Sequence, residues 1–333
     1  MDRQRIAAYG QLIQKLLECS SEEILQILNA NADILDIGLL QTAIAGVPVF
    51  SENGNQTIAD SLTNICLQLS LFFGSSRQPR EVRKATADIL LRFGNEQFYS
   101  QLPIALLSWQ QCFNIYKAID DRHQIATTIR NLGIVSDCLG NYEHAIACYQ
   151  KSLAICRAIE YHQGKANSLG SLGSAYFYLG QHELAISFHE DSLAICRQIN
   201  DRRGEATCVA NLGSVYCSLG KYEQAIDYHE QSLAICGEIK HRQGEASVLN
   251  NIAIAYRELQ QTEKAIENYR DSLKIAIPET MPAECFKVGR NLGNIGFTQG
   301  NWQLALEGYE PAIKAVEQLR KGSITDDRRQ KII

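Results

Sequence analysis

The chain repeats itself every 40 residues. SLAIC stands at 152–156, 192–196 and 232–236, while NLG at 131–133 returns as SLG (171–173), NLG (211–213), NIA (251–253) and NLG (291–293). A second series keeps the same phase: LGNYEHAI (139–146), LGQHELAI (179–186), LGKYEQAI (219–226), LQQTEKAI (259–266) and QGNWQLAL (299–306). One period back from Ala145 lies Ala105, so a degenerate sixth copy covers roughly 81–120. A fixed period of this length means a solenoid, a propeller or an array, in which each unit buries its apolar face against the next.

The residues within one period choose among these. In 203–239, Ala206, Val209, Leu212, Gly213, Tyr216 and Leu219 recur at three- and four-residue steps, and so do Tyr222, Ala225, Ile226, His229, Leu233 and Cys236. Both halves therefore read as amphipathic helices. Gly220 separates them as a stop, and Asp201 is placed to cap the first. Alternating strand patterns are missing, which removes the propeller. Small residues mark the expected helix crossings: Gly133, Gly173, Gly213, Ala253 and Gly293 on first helices, Ala145, Ala185, Ala225, Ala265 and Ala305 on second ones. A large ring follows four residues after each alanine, at Tyr149, His189, His229, Tyr269 and Tyr309, and at Trp109 in the degenerate copy.

This order of L-G, Y, G-x-Y and A-x-x-x-[FYH] resembles the tetratricopeptide repeat family. The common repeat has 34 residues; a 40-residue period is similar to the longer subtype of kinesin light chains. The resemblance covers about 81–320 and implies an all-α fold, a right-handed α-solenoid of antiparallel helix pairs with an N-terminal helical cap. The expected organisation is a capping region at 1–78, six repeats at 79–320 and a polar tail at 321–333.

Residues 1–75 lie outside the period yet look helical. Ile6, Tyr9, Ile13, Leu16 and Leu17 form one stripe, Ser20-x-x-Glu23 reads as a capping box, and 55–74 as a further helix. GSSRQPR (74–80) is the clearest boundary. No capping helix is legible after about 320, so the last repeat is expected to leave an apolar flank, to lead into a continuation, and to open a homodimer through the C-terminal repeat. ILNANADILDIGLLQTAIAG near the start and TDDRRQKII at the end resemble bacterial proteins whose repeats precede a CHAT domain, a caspase-like fold.

Several chemistries fail on the residues. Cys156, Cys196 and Cys236 are one position seen three times, occupied by Tyr116 and Ala276 in other copies, whereas a nucleophile is needed once with a base beside it. His189-Glu190 and His229-Glu230 approach H-E-x-x-H, but Leu193 and Leu233 replace the second histidine. The Gly-Lys pair at 220–221 precedes Tyr222 where a phosphate loop needs Ser or Thr. The reading is a non-enzymatic protein with no cofactor and no metal. A net charge of −5 with interleaved signs argues against nucleic acid. No apolar run is long enough for a membrane span, and no signal peptide is legible. Eleven cysteines without a CxxC pair fit a reducing, cytoplasmic setting.

What the family resemblance implies is protein or peptide binding along a concave groove lined by first helices. There the groove would hold Arg130, Asn131, Asn167, Ser171, Asn211, Asn250, Asn251, Arg257, Lys287, Arg290, Asn291 and Asn294. Asparagine is a poor helix former, so its recurrence at 131, 211, 251 and 291 has another cause. A carboxamide offers both donors and an acceptor to an extended backbone; alternatively it ties one repeat to the next. Six inner helices span on the order of 50 Å, room for about 15 extended residues. Basic residues outnumber acidic ones along the stripe, pointing to a ligand of some acidic character. An RNA reader and a hydrolase built on the same scaffold are the competing readings.

Overall fold

In the computed structural model, which describes residues 3–19, 23–31, 34–52, 55–98 and 101–323, every regular element is a helix. The chain forms two compact units, residues 1–135 and 136–323.

In the first unit, α1 (Arg3–Glu18), α2 (Ile24–Ala30), α3 (Ile37–Glu52) and α4 (Gln56–Gly74) precede the pair α5 (Arg80–Gln97) and α6 (Leu102–Ala118). α7 (Arg122–Cys138) follows, most of it in this unit. The α1 stripe buries Tyr9, Leu12, Ile13 and Leu16 beside Leu39 and Leu40 of α3 and Leu62 and Leu69 of α4. Ile6, expected in that stripe, is 45% exposed. A polar clasp closes α1 onto the start of α3: Asp36 accepts hydrogen bonds from the Tyr9 hydroxyl, from Arg5 Nη2 at 2.8 Å and from the Gly38 N–H at 2.8 Å. α3 escaped the sequence reading because it is apolar nearly all round and carries Pro48. Ser20 of the expected capping box lies outside the described residues. At the start of α2, Glu23 is the N-cap and makes no side-chain capping bond.

The second unit is the regular one. Second helices α8 (Tyr142–Ala158), α10 (His182–Gln198), α12 (Tyr222–Glu238), α14 (Thr262–Ile275) and α16 (Trp302–Ser323) alternate with first helices α9 (His162–Tyr178), α11 (Arg202–Ser218), α13 (Arg242–Glu258) and α15 (Pro282–Thr298). Where the pattern is undisturbed, two 17-residue helices and two three-residue turns fill each period. Each turn needs one left-handed residue to reverse the chain. Gly220 (φ 72°) supplies it as expected; Gln260 (φ 60°) takes the same slot without glycine's freedom. Asp201 caps α11, its Oδ1 accepting from the Gly204 N–H at 2.9 Å. The pattern breaks at α14, and α16 exceeds it with 22 residues. Pro278 stands one period after Glu238, the residue before a proline avoids helical geometry, and α14 stops at Ile275 with 14 residues.

The SLAIC motif now has a physical meaning. Its serine joins the two helices of one repeat: Ser192, Ser232 and, in the fifth copy, Ser272 donate to the carbonyls of Ala166, Ala206 and Ala246 at 2.7–2.9 Å. Its cysteine joins one repeat to the next. Cβ atoms at Gly164, Gly204 and Gly244 would lie 2.6, 2.7 and 2.8 Å from the sulfurs of Cys156, Cys196 and Cys236. Cysteine acts there as a small apolar wedge.

The crossings correct the sequence reading in one respect. Gly173 and Gly213 lie under the rings of His189 and His229, not against the alanines four residues earlier; an added methyl would stand 2.7 Å from either ring. In the degenerate pair it is Gly94 that underlies Trp109, a spacing of 15 instead of the 16 between Gly173 and His189. Among the described glycines, only Gly289, Gly296 and Gly308 would set a Cβ against the backbone of the facing helix, where α15 meets α16.

Candidate functional site

The stripe expected to bind is carried, in the second unit, by equivalent positions of α9, α11, α13 and α15. Asn167 is exposed and accepts from Gln163 Nε2 at 3.3 Å; Ser171 and Asn211 are half-buried. Asn250, Asn251 and Asn291 come together: Asn291 Nδ2 donates to Asn250 Oδ1 at 3.0 Å, and Asn250 Nδ2 to Asn251 Oδ1 at 3.4 Å. Here the carboxamides tie α13 to α15. The first unit repeats the device, since Asn131, 5% exposed, donates to Asn95 Oδ1 at 3.1 Å and accepts from Arg130 Nη2 at 3.3 Å. Asn211 has no such tie among the described residues.

The charge of the stripe is smaller than its composition implied. Arg257 is paired with Glu258, Nη2 to Oε1 at 2.7 Å. Lys287 and Arg290 are exposed without a carboxylate partner among the described residues, although the Arg290 guanidinium lies 5.5 Å from the Phe286 ring centre. Asn294 is exposed and accepts from the Tyr309 hydroxyl at 2.8 Å. The cationic end of the stripe is therefore α15.

His189 and His229 are buried, each with an unpartnered Nδ1, and burial pushes both imidazoles down to about 4. They are neutral packing groups, occupying the slot that Tyr269 fills in the next repeat. No cluster of three or more possible metal ligands occurs among the described residues, and none of their helices is long and apolar enough to cross a membrane. Burial raises the thiols of Cys66 and Cys112 to about 12, and that of Cys285 to about 11. Of the cysteines, Cys138 is exposed while Cys156, Cys196 and Cys236 are in the core. A thiol-specific reagent is thus expected to label Cys138 first and the three core thiols at least about a hundredfold more slowly, since these wait for local opening; peptide mapping of a labelling time course would show it.

The sequence reading held such ties open as the alternative but could not name their partners, which are offset from the period: Asn95 is 36 residues before Asn131, and Asn250 is 41 before Asn291. The cysteine wedge was findable. Each SLAIC cysteine has a glycine eight residues on (Gly164, Gly204, Gly244), whereas Tyr116 and Ala276 are followed by Gln124 and Glu284.

The sequence matches the tetratricopeptide repeat family over residues 105–158, 124–198 and 205–277, together half of the chain. No curated protein matches it. Among solved structures it is similar to aspartyl phosphate phosphatase F from Bacillus subtilis, with 17% identity, 97% of this chain and 86% of the other covered, and a TM-score of 0.65. A Rap protein complexed with competence and sporulation factor gives 12%, 96% and 98%, and 0.56. A signal-transduction ATPase of Pyrococcus horikoshii with a tetratricopeptide repeat sensor gives 16%, 96% and 54%, and 0.55. At these identities the likeness is one of fold. Helix pairs at a constant period, glycine turns between them and a family match over half the length lead to one conclusion: the chain belongs to the tetratricopeptide repeat family.

Proposed function

We propose that the protein is a non-enzymatic scaffold that binds an extended segment of a partner protein along the first-helix face. The observation that carries this reading is Asn211, a carboxamide at a helix position that disfavours it, half-buried and without an intramolecular tie among the described residues, flanked by exposed Asn167 and half-buried Ser171. Lys287 and Arg290 at the far end favour acidic residues in the ligand. The Rap protein crystallised with a bound factor lends the reading support by fold alone. The organisation proposed is a cap at 1–78 followed by six long repeats from 79, acting in the cytoplasm and regulating an effector of the CHAT type. Its TDDRRQKII signal falls at 325–333, outside the described residues. The homodimer expected through the C-terminal repeat has its own basis in Leu306 and Ile313, 58% and 61% exposed on α16; light scattering would test it.

Peptides of about 15 residues, selected from a display library on the wild-type protein, are expected to lose at least about tenfold affinity for an Asn167→Ala/Asn211→Ala variant of unchanged melting temperature, the effect of about 1.4 kcal/mol. Unchanged affinity, or a library that yields no binder, would sink the proposal. Asn291→Ala is expected to cost about 1 kcal/mol of stability, because it strands Asn250 Oδ1.

A further inference from the structure

On the second helices lies a cavity that the first-helix reading does not use. It measures about 370 Å³ and opens where α10, α11 and α12 meet. Val209 and Leu212 of α11 lie beneath it, Leu193 and Ala194 of α10 and Tyr228 of α12 wall it, and Glu190, Arg197 and Gln231 complete its lining. The volume lies within the range of ligand sites, near its lower end, enough for one large side chain. The aromatic wall is fixed in advance, because Tyr228 stacks on Tyr216 with ring centres 5.1 Å apart and planes 7° from parallel.

The electrostatics around this cavity are one-sided. α10 carries three carboxylates and one arginine; α12 carries four carboxylates and no lysine or arginine. The one cation of α10 and α12 is already matched, since Arg197 Nε donates to Glu205 Oε1 at 2.9 Å; α11 adds Arg203 and Arg202, the latter paired with Glu205 and with Glu238 of α12. Glu190, the one carboxylate in the lining, and its neighbour Asp191 are exposed and have no basic partner among the described residues; Asp227 and Glu230 of α12 are exposed too, but neither lines the cavity, and both act on Tyr256 of α13. Neighbouring intervals lack this combination. One period earlier the ring is kept, as Phe188, but Glu190 is Gln150 and Asp191 is Lys151; one period later Tyr228 becomes Asn268 and Arg197 becomes Gly237.

We propose that this cavity is a second docking site, which receives one apolar side chain, aromatic or branched, from a basic segment of a partner protein. The apolar floor supplies the contact, and unpaired Glu190, with exposed Asp191 next to it on α10, selects lysine or arginine beside the inserted residue. Nucleic acids and anionic lipid surfaces would be repelled by the same rim. The site shares no residue with the first-helix stripe, so each can fail without the other.

The test uses the full chain with labelled leucine and valine methyls, and the acetylated, amidated pentapeptide RRLRR as probe, with RRGRR and EELEE as controls. RRLRR is expected to shift the methyl signals of Leu193, Val209 and Leu212 saturably, and the controls to leave them in place. Ala194→Trp, which fills the cavity from its exposed wall, is expected to abolish the shift; Glu190→Gln to weaken binding about threefold; Asn167→Ala/Asn211→Ala to change nothing. Equal effects of RRGRR and RRLRR, no shift at millimolar RRLRR, or full binding by Ala194→Trp would each overturn the proposal. Should Ala194→Trp lower the melting temperature, Glu190→Gln decides, and undiminished binding by that variant overturns it as well.

Discussion

Gly308→Ala is expected to destabilise the last helix pair by about 3 kcal/mol, the upper end of the cost of overpacking, although alanine is the better helix former by up to about 1 kcal/mol. A Cβ at Gly308 would stand 2.2 Å from the Gly293 nitrogen, 2.5 Å from the Gly289 carbonyl oxygen and 2.7 Å from the Gly293 Cα. These are backbone atoms and have no rotamer to retreat into. α15 and α16 must move apart, which loosens Leu292, Leu304 and Ala312, all now buried. Gly237 in α12 is the control, because a Cβ there meets nothing within 4 Å. Gly237→Ala is expected to leave stability unchanged or raise it by a few tenths of a kcal/mol. Urea midpoints at neutral pH would measure both, and hydrogen exchange would localise the loss to α15 and α16, since repeats in a solenoid depend chiefly on their neighbours. Equal stability of Gly308→Ala and wild type would mean that the two helices do not approach this closely.

The second large effect is acid destabilisation through His189 and His229. Burial holds both imidazoles down to about 4 in the folded chain, against an ordinary value of 6.5. A base whose folded pKa is depressed contributes its full stability above the unfolded value. As pH falls from 6.5 towards 4, the unfolded chain takes up protons that the folded one refuses, so stability is lost through that window. At 1.36 kcal/mol per unit, the loss is roughly 3 kcal/mol for each histidine. His189→Tyr/His229→Tyr removes both groups with little change in packing, because Tyr309 lies over Gly293 as His189 does over Gly173. Glu307, held below the usual carboxylate range by the Arg270 guanidinium, loses support on acidification in both proteins alike and cancels in the comparison. Denaturation at pH 7 and pH 4.5 is expected to show a loss several kcal/mol smaller in the double variant. Identical losses would show that neither imidazole is protonated on unfolding.

The candidate site was legible in part. Asn211, Asn251 and Asn291 stood out because asparagine is costly inside a helix, and that argument needs only the residue and its period. It could not separate a carboxamide that waits for a ligand from one that ties two helices, since both carry the same cost. The structure identifies ties for two of them, since Asn250 holds Asn291 and Asn95 holds Asn131, while Asn211 has no such partner among the described residues. Arg257 shows the same limit in its charge, which the adjacent Glu258 cancels. The cavity between α10 and α12 was not legible. Its residues, Leu193, Val209 and Tyr228, are ordinary members of three separate stripes until the fold gathers them.

By itself the sequence determined what depends on neighbours along the chain: helices where apolar residues recur at three and four, a reversal at Gly220, a cap at Asp201, and through their period a solenoid of paired helices. Tertiary structure decided what depends on distance through space. It set Gly173 beneath His189 instead of beneath an alanine, laid the Cys196 sulfur against Gly204, and brought the backbone of α16 onto that of α15. The physical reason is that hydrogen-bonded turns and amphipathic stripes are settled within four or five residues, whereas the depth of a crossing is settled by the volumes of side chains that the chain order keeps apart.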